Sequence, residues 1–495
     1  MIQEDNKGQN DRTSEMRSDA LPYPNRFAGT SSRTSHPWMA SSAPGQLEAM
    51  LREIGAASPR ELFEQIPADH FRKAPLELPA PITSEVELRR VLRSKLSKNR
   101  DCEQNLSFLG AGVWQHFVPG VVDEIVSRTE FSTNIWGSAQ SDVGRNQAWF
   151  EFSSQLGALL NMDVVQLPVY SWGCAAGHAI RMAARMTGRN KILVSALSDP
   201  ERLAVIRTYC GPRDMERNIE LVTVACDPKD GRLDIKDLNA KLDRSVAAVY
   251  FENPAYLGTL ETRAAAIAAA ARKVEAETIV GVDPLSLGIF APPADYGADI
   301  VVGPTQPLGV HMNGGGGTGG FIATHDNERY VRQYNGFLVS IDETITAGEY
   351  AFGLSHFHQT SYGSRESGND WTGTSVYLWA VANAAYMSLL GPKGFEELGA
   401  LILARARFAA RRLGAVRGVR ILWPENHFKE FVVNFDGTGK SVREINDALR
   451  ADGIFGGKDI SNELPQFGQS SLFCVTEIHG AADIERLVTS LERIL

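Results

Sequence analysis

The spacing of apolar and polar positions divides the chain into stretches of different character. From Met1 to about Gly45 the residues are mainly Ser, Asn, Asp, Arg and Pro with no apolar period. Such a stretch buries too little surface to offset its ordering entropy, so residues 1–45 read as a disordered tail. Helical spacing begins at "PGQLEAMLREIG", where Leu47, Met50, Leu51 and Ile54 recur on one face. "SPRELFEQI" follows, with Ser58 three residues before Glu61 in a capping-box arrangement, and "TSEVELRRVLRSKL" predicts a further helix. Residues 46–145 therefore read as an N-terminal helical segment.

From 146 to 380 the pattern alternates. "NQAWFEFSSQLGALLNM" and the small-residue run "GCAAGHAIRMAARMTG" are helical, whereas "KILVSAL", "IELVTVAC", "AAVYFEN", "ETIVGVD" and "DIVVG" are short β-branched runs. Strands interleaved with helices predict a large α/β lobe whose sheet is mainly parallel and covered on both faces. Residues 381–495 change again. Long helical sequence leads into "VRILWP" and "EFVVNF", a helix at "SVREINDALRADG", and the closing pair "SSLFCVTE" and "ADIERLVTSLERIL", the pattern of a small C-terminal α+β lobe.

Composition narrows the classes of function. The chain has 495 residues, 43% hydrophobic and 22% charged, which is ordinary for a water-soluble globular protein. With 50 basic against 59 acidic side chains the net charge is -9, which argues against nucleic acid or an anionic membrane as the main partner. Its five cysteines, Cys102, Cys174, Cys210, Cys226 and Cys474, lack the pairing of a zinc site and the density of a disulfide scaffold, so a reducing, cytoplasmic setting is expected. No apolar run reaches the ~20 residues of a membrane span, and the polar, acidic start does not read as a signal peptide. His116, His178, His311, His356 and His358 show no spacing suited to a metal, and none is expected.

A large α/β lobe followed by a small C-terminal lobe is the layout of fold-type I pyridoxal-phosphate enzymes, and three local features bear on it. Asp283 in "VDPLSLG" ends a predicted strand, where a carboxylate pairs with a protonated pyridine nitrogen or simply starts a turn with Pro284. "YSWGCAAGHA" enters a helix through Gly173 and Cys174, so that free N–H groups there hold a phosphate, or the small residues only allow close packing. "NGGGGTGG", with Gly314, Gly315 and Gly316 between Asn313 and Thr318, lets backbone approach a ligand closely or change conformation. The expected Schiff-base lysine is missing. Gln306 stands in its place in "GPTQPLG", and no lysine occurs between Lys273 and Lys393. No other side chain supplies a neutral amine at that reach.

From about Gln46 to the C-terminus the chain resembles the alpha subunit of the two-subunit glycine dehydrogenase (decarboxylating), the P protein of the glycine cleavage system. The stretches that carry the resemblance, in order, are "LREIGAASPRELFEQIP", "LSFLGAG" with "FVPGVVDEIVSRTEFST", "WFEFSSQLGALLNMDV", "KILVSALSDP", "VDPLSLG", "PPADYGADIVVGPTQPLG", "SLLGPKGFEEL" and the terminal "VTE". The resemblance implies that pyridoxal phosphate is held by a lysine of a beta-type partner subunit, that Gln306 is the alpha-type residue, and that the pair decarboxylates glycine and passes aminomethyl to a lipoyl carrier protein. On it, Gln306 and Arg365 are the expected catalytic contributors, and Asp283, Gly173, Cys174 and Gly314 to Gly316 the cofactor-side ones. Three segments depart from the family pattern. Ser132 to Gln147 replaces a Tyr-Thr-Pro-Tyr-Gln segment, "YSWGCAAGHA" differs from the usual Tyr-Asp-Gly-Gly/Ala-Thr, and in "RESGNDWTG" Arg365 and Glu366 remain while Ser367 stands where the family has lysine. The changed lining leaves two alternatives open beside the glycine reading: a diverged paralogue acting on another amino acid with a beta-type partner, and a non-catalytic pseudo-enzyme subunit.

Overall fold

A computed structural model describes residues 38–39, 42–71, 74, 77, 79, 82, 84–131, 139–211, 218–370 and 376–495. The tail expected at 1–45 lies almost wholly outside these residues, as do 132–138 of the first divergent segment and the last part of "RESGNDWTG". The chain divides into two compact units, Met1–Ser97 and Lys98–Leu495.

In the first unit the expected helices form at Gln46–Glu53, which buries Leu51, and at Glu85–Leu96, where the Ser84 hydroxyl accepts from the Glu87 N–H. Between them Pro59–Phe63 is a 3-10 turn rather than an α-helix, and Ser58 makes no side-chain cap. The expected capping box is absent because the Glu61 carboxylate reaches one residue further back, accepting from the Ala57 N–H at 2.9 Å.

The second unit is built on seven strands: β1 Val164–Val165, β2 Lys191–Ser195, β3 Glu220–Val224, β4 Val246–Glu252, β5 Glu277–Gly281, β6 Ile300–Pro304 and β7 Gly320–Thr324, in the order β1-β7-β6-β5-β4-β2-β3. The strands β2 to β6 run parallel, whereas β7 is antiparallel to both β6 and β1. All seven residues of β4 are buried. Their alternation serves both faces: Val249 and Phe251 join one apolar cluster with Phe152, Leu156 and Val301, while Ala248 and Tyr250 join the other with Ala179, Ile180 and Val302. The small-residue helix, Trp172–Thr187, packs on this second face. A Cβ on its Gly177 would lie 2.6 Å from the Tyr209 ring, so only glycine allows the approach of the helix Pro200–Cys210.

A hairpin that the sequence pattern does not reveal, β8 Leu338–Glu343 with β9 Tyr350–Ser355, follows. The helix Tyr377–Gly414 then runs across residue 380, where a lobe boundary is expected, and is interrupted by Gly391 (φ 59, ψ 179) before Pro392 restarts it. The small sheet consists of β10 Arg420–Leu422, β11 Glu430–Asn434, β12 Lys458–Asp459 and β13 Ser470–Cys474, antiparallel in the order β10-β11-β13-β12. Phe431, Val433 and Phe473 meet Leu449, Leu487 and Leu491 of the helices Val442–Ala451 and Ala481–Ile494 in its core. Among the described residues no helix is long and apolar enough to cross a membrane.

Candidate functional site

In an open parallel sheet, ligands bind in the crevice beyond the carboxyl ends of the strands. Here those ends deliver Glu252 from β4, Asp283 just after β5 and Gln306 just after β6. Gln306 is fully buried, and its amide is closed on backbone. Oε1 accepts from the Trp114 N–H at 3.1 Å, while Nε2 donates to the carbonyls of Trp114 at 2.9 Å and Val310 at 3.1 Å. The Asn383 amide fixes the same turn by donating to the carbonyls of Thr305 and Leu308. Both ends of the Gln306 amide are thus occupied by the protein itself.

Asp283 serves as turn former and as cation partner at once. Its Oδ1 accepts from the Leu285 N–H at 3.2 Å, capping the turn Pro284–Gly288, and its Oδ2 lies 2.7 Å from the ammonium of Lys429. Lys429 immediately precedes β11. Its Nζ also lies 3.3 Å from the centroid of the Trp114 ring and 3.1 Å from His116 Nε2. Because an ammonium only donates, Nε2 accepts and the Nδ1–H of His116 donates to Glu477 Oε2, 2.7 Å away. Burial by itself raises the Glu477 carboxyl, but His116 and the Phe117 N–H outweigh it and hold the group down at about 2. Burial prevails at the neighbouring Glu430, which is pushed up to about 7 although the Ala111 N–H donates to it at 2.6 Å.

A second ion pair closes the other side. Arg202 of the helix Pro200–Cys210 meets Glu252 at 2.6 Å, and its guanidinium lies 3.5 Å from the centroid of the Trp172 ring. The Tyr250 hydroxyl donates to the remaining Glu252 oxygen at 2.8 Å. Trp172 stands third in "YSWGCAAGHA", where the family pattern quoted above has glycine, and its large indole is buried here. What remains between Trp114, Trp172, Arg202, Asp283 and Lys429 is a cavity of about 20 Å³, room for about one water.

The other expected residues lie elsewhere. The start of the helix Trp172–Thr187 is closed from within, since Ser171 Oγ accepts from the Cys174 N–H at 3.3 Å. Gly173 faces the helix Pro200–Cys210, where a Cβ would stand 3.0 Å from Val205 Cβ, so its smallness serves helix packing. Gly314, Gly315 and Gly316 are exposed, and a Cβ on any of them would meet nothing within 4 Å. Arg365 is exposed on a short turn with φ 49 and does not line the cavity. The structure therefore brings Gln306 and Asp283 together through Trp114 and Lys429, and leaves the glycine loop and Arg365 on the surface.

These residues do not fit a resident pyridoxal phosphate. The helix start is capped by Ser171, the ring-nitrogen partner is paired with Lys429, the amine is replaced by Gln306, and the cavity has room for about one water and not for a ring. Sequence reading misses Lys429, Trp114 and His116, which close the site. The signal for Lys429 is a lone lysine directly before an all-buried strand, a position where charge requires a buried partner.

The profile of the glycine cleavage system P-protein family matches residues 40–491. Among curated proteins, a probable glycine dehydrogenase (decarboxylating) subunit 1 from Staphylothermus marinus is 34% identical over 470 residues, covering 93% of this chain and 98% of that one. The protein of the same description from Saccharolobus solfataricus is 34% identical over 467 residues, with the same coverage. Among solved structures, glycine decarboxylase (P-protein) of the glycine cleavage system in inhibitor-bound form superposes with a TM-score of 0.81 at 31% identity, over 93% of this chain and 100% of that one. A sphingosine-1-phosphate lyase from Burkholderia pseudomallei shares the fold alone, with a TM-score of 0.60 at 15% identity over 85% of this chain and 92% of its own. The fold is thus the fold-type I architecture expected from the layout. The chain belongs to the glycine cleavage system P-protein family.

Proposed function

We propose that this chain is the alpha-type subunit of a glycine decarboxylase and works with a second, lysine-bearing subunit of the same family. The observation that carries the reading is Gln306: the fold is retained across nearly the whole chain, while the position of the amine is a glutamine locked to the Trp114 peptide. Pyridoxal phosphate, held by the partner, supplies the electron sink that makes loss of carbon dioxide from glycine feasible. This chain's part is to keep a rigid wall against that site. Gln306 and Asp283 hold the wall from inside, and we assign to Arg365 and the Gly314 to Gly316 loop the contacts that reach across to the partner. The aminomethyl group then passes to a lipoyl carrier protein. The five free cysteines agree with a cytoplasmic setting.

The test is co-expression with a lysine-bearing P-protein subunit, followed by glycine-dependent exchange of labelled carbon dioxide with pyridoxal phosphate and a lipoyl carrier. The two chains are expected to co-purify and exchange label, and the present chain alone is expected to be inactive with no borohydride-reducible cofactor adduct. Exchange by the isolated chain, or a co-purified pair inactive with glycine but active on another amino acid, overturns the reading.

A further inference from the structure

We propose that Lys429 is an internal cation occupying the ligand position at Asp283, and that it pins the C-terminal lobe onto the strand ends of the large sheet. Asp283 sits at the carboxyl end of β5, where this architecture places ligands, and its side chain is 4% exposed. Burying a carboxylate this deeply with no partner is costly, and an opposite charge offsets that cost. The one it has comes from the other lobe, at the root of β11, and is itself 3% exposed.

The surroundings of the ammonium are built to receive it. The ammonium faces three acceptors: the Asp283 carboxylate at 2.7 Å, His116 Nε2 at 3.1 Å and the face of the Trp114 indole. Two of those acceptors lie on the segment 108–117, which is tied on one side to the large lobe through Gln306 and on the other to the small lobe. There the Phe117 N–H donates to Glu477, the Ala111 N–H to Glu430, and the Thr476 hydroxyl to the Gln115 carbonyl. Lys429 is thus the point at which the large lobe, the small lobe and the segment crossing between them share one charge. The charged and titratable groups facing it are Asp283, His116 and Glu430, with Glu477 behind His116 and the Arg202–Glu252 pair on the far side of the cavity. The proposal does not depend on which reaction the assembled enzyme performs.

If Lys429 fills a ligand position, removing its side chain beyond Cβ leaves a vacancy with the shape and charge preference of propylammonium. The experiment measures thermal unfolding of the full chain carrying Lys429→Ala, with propylammonium chloride, with tetramethylammonium chloride and with propan-1-ol, the wild type serving as reference for each additive. Breaking a buried pair is expected to lower the Tm by about 5 °C in a chain of this size. Propylammonium is expected to restore at least half of the loss, the bulky cation and the neutral alcohol little of it. Equal rescue by propan-1-ol identifies a cavity without charge selectivity and overturns the proposal, as does no rescue at all. Should Lys429→Ala fail to fold, Lys429→Met and Asp283→Asn, alone and together, decide the matter. The double variant is expected to melt closer to wild type than the sum of the two losses, and additive losses overturn the pairing.

Discussion

One loop of this molecule begins in the interior and ends in solvent. At Gln306 every polar atom of the side chain is bonded to backbone, and a short way along the chain Gly315 has nothing opposite it. Gln306 was singled out by its place in the family pattern and the glycines by their run alone, and the two ends obey different physics. Around Gln306, Asp283 and Arg202 each charge or amide has an internal partner, so substitution there acts on stability first. Around the glycines the internal partners meet backbone only, Asn313 and Trp379 donating to the Gly316 and Gly317 carbonyls, so a side chain added there acts through backbone conformation and through whatever docks on the loop.

The largest expected effect separates these cases at once. Gln306→Lys puts an ammonium where an amide bridges the Trp114 peptide and removes the acceptor for the Trp114 N–H. It also adds a second buried cation to the one Trp114 already covers, Lys429. We expect a loss of about 5 kcal/mol in denaturant unfolding and no visible absorbance from added pyridoxal phosphate. A stable variant that takes up the cofactor shows that the interior is still a cofactor site and erases the contrast. Arg202→Met comes next. It strands Glu252 and uncovers the Trp172 ring, for an expected cost of about 4 kcal/mol, much of which Glu252→Gln in the same chain should recover.

The sequence made the large lobe legible because its strands are short, apolar and bounded by helices, and β2 to β6 all fall, to within a residue at an end, inside runs that the pattern picks out. The hairpin β8–β9 was not legible, because all its residues but Leu338 are exposed or half-buried and their burial lacks the alternation that marks a strand packed on one face. At the site the division is similar. Gln306 and Asp283 were found by position along a recognisable motif. Lys429, Trp114 and His116 were not, because their partners lie far away in sequence, and the apolar run after Lys429 marks a buried position without naming what it pairs with. The small residues of "YSWGCAAGHA" suggested an anion site or close packing, and only the Ser171 cap and the Val205 contact distinguish the two.

Protonation tests the interior side of the comparison more gently. The Glu430 carboxyl is raised from 4.5 to about 7 by burial, so its protonated form is the one the fold prefers. Its contribution is complete below about pH 4.5 and is lost as pH rises through about 7, a slope worth about 3 kcal/mol over that window. Glu477 runs the other way. Held down at about 2, it contributes above pH 4.5 and loses that contribution as pH falls toward 2. Glu430→Gln should therefore flatten the decline in unfolding free energy between about pH 4.5 and 7 and leave the acid limb in place. An unchanged slope between those values means that Glu430 does not titrate in the folded protein as its burial demands.

The smallest expected effect sharpens the solvent side, and it turns on two adjacent glycines. Gly315 has φ 84, a conformation that a side chain resists, whereas Gly316 has φ -112, which any residue adopts. Neither has an atom within 4 Å of the position a Cβ would take. Gly315→Ala is thus expected to cost about 1 kcal/mol through backbone strain alone. Gly316→Ala should leave stability unchanged within about 0.5 kcal/mol. The informative measurement is then glycine-dependent carbon dioxide exchange with the lysine-bearing subunit present. A methyl group at 316 that neither strains nor touches this chain has only the partner left to touch. We expect Gly316→Ala to lower exchange by about tenfold at unchanged stability, which corresponds to about 1.4 kcal/mol of lost interaction in the assembled site. Wild-type exchange by Gly316→Ala places the loop outside the joint site, and the glycines then answer only to the turn they make.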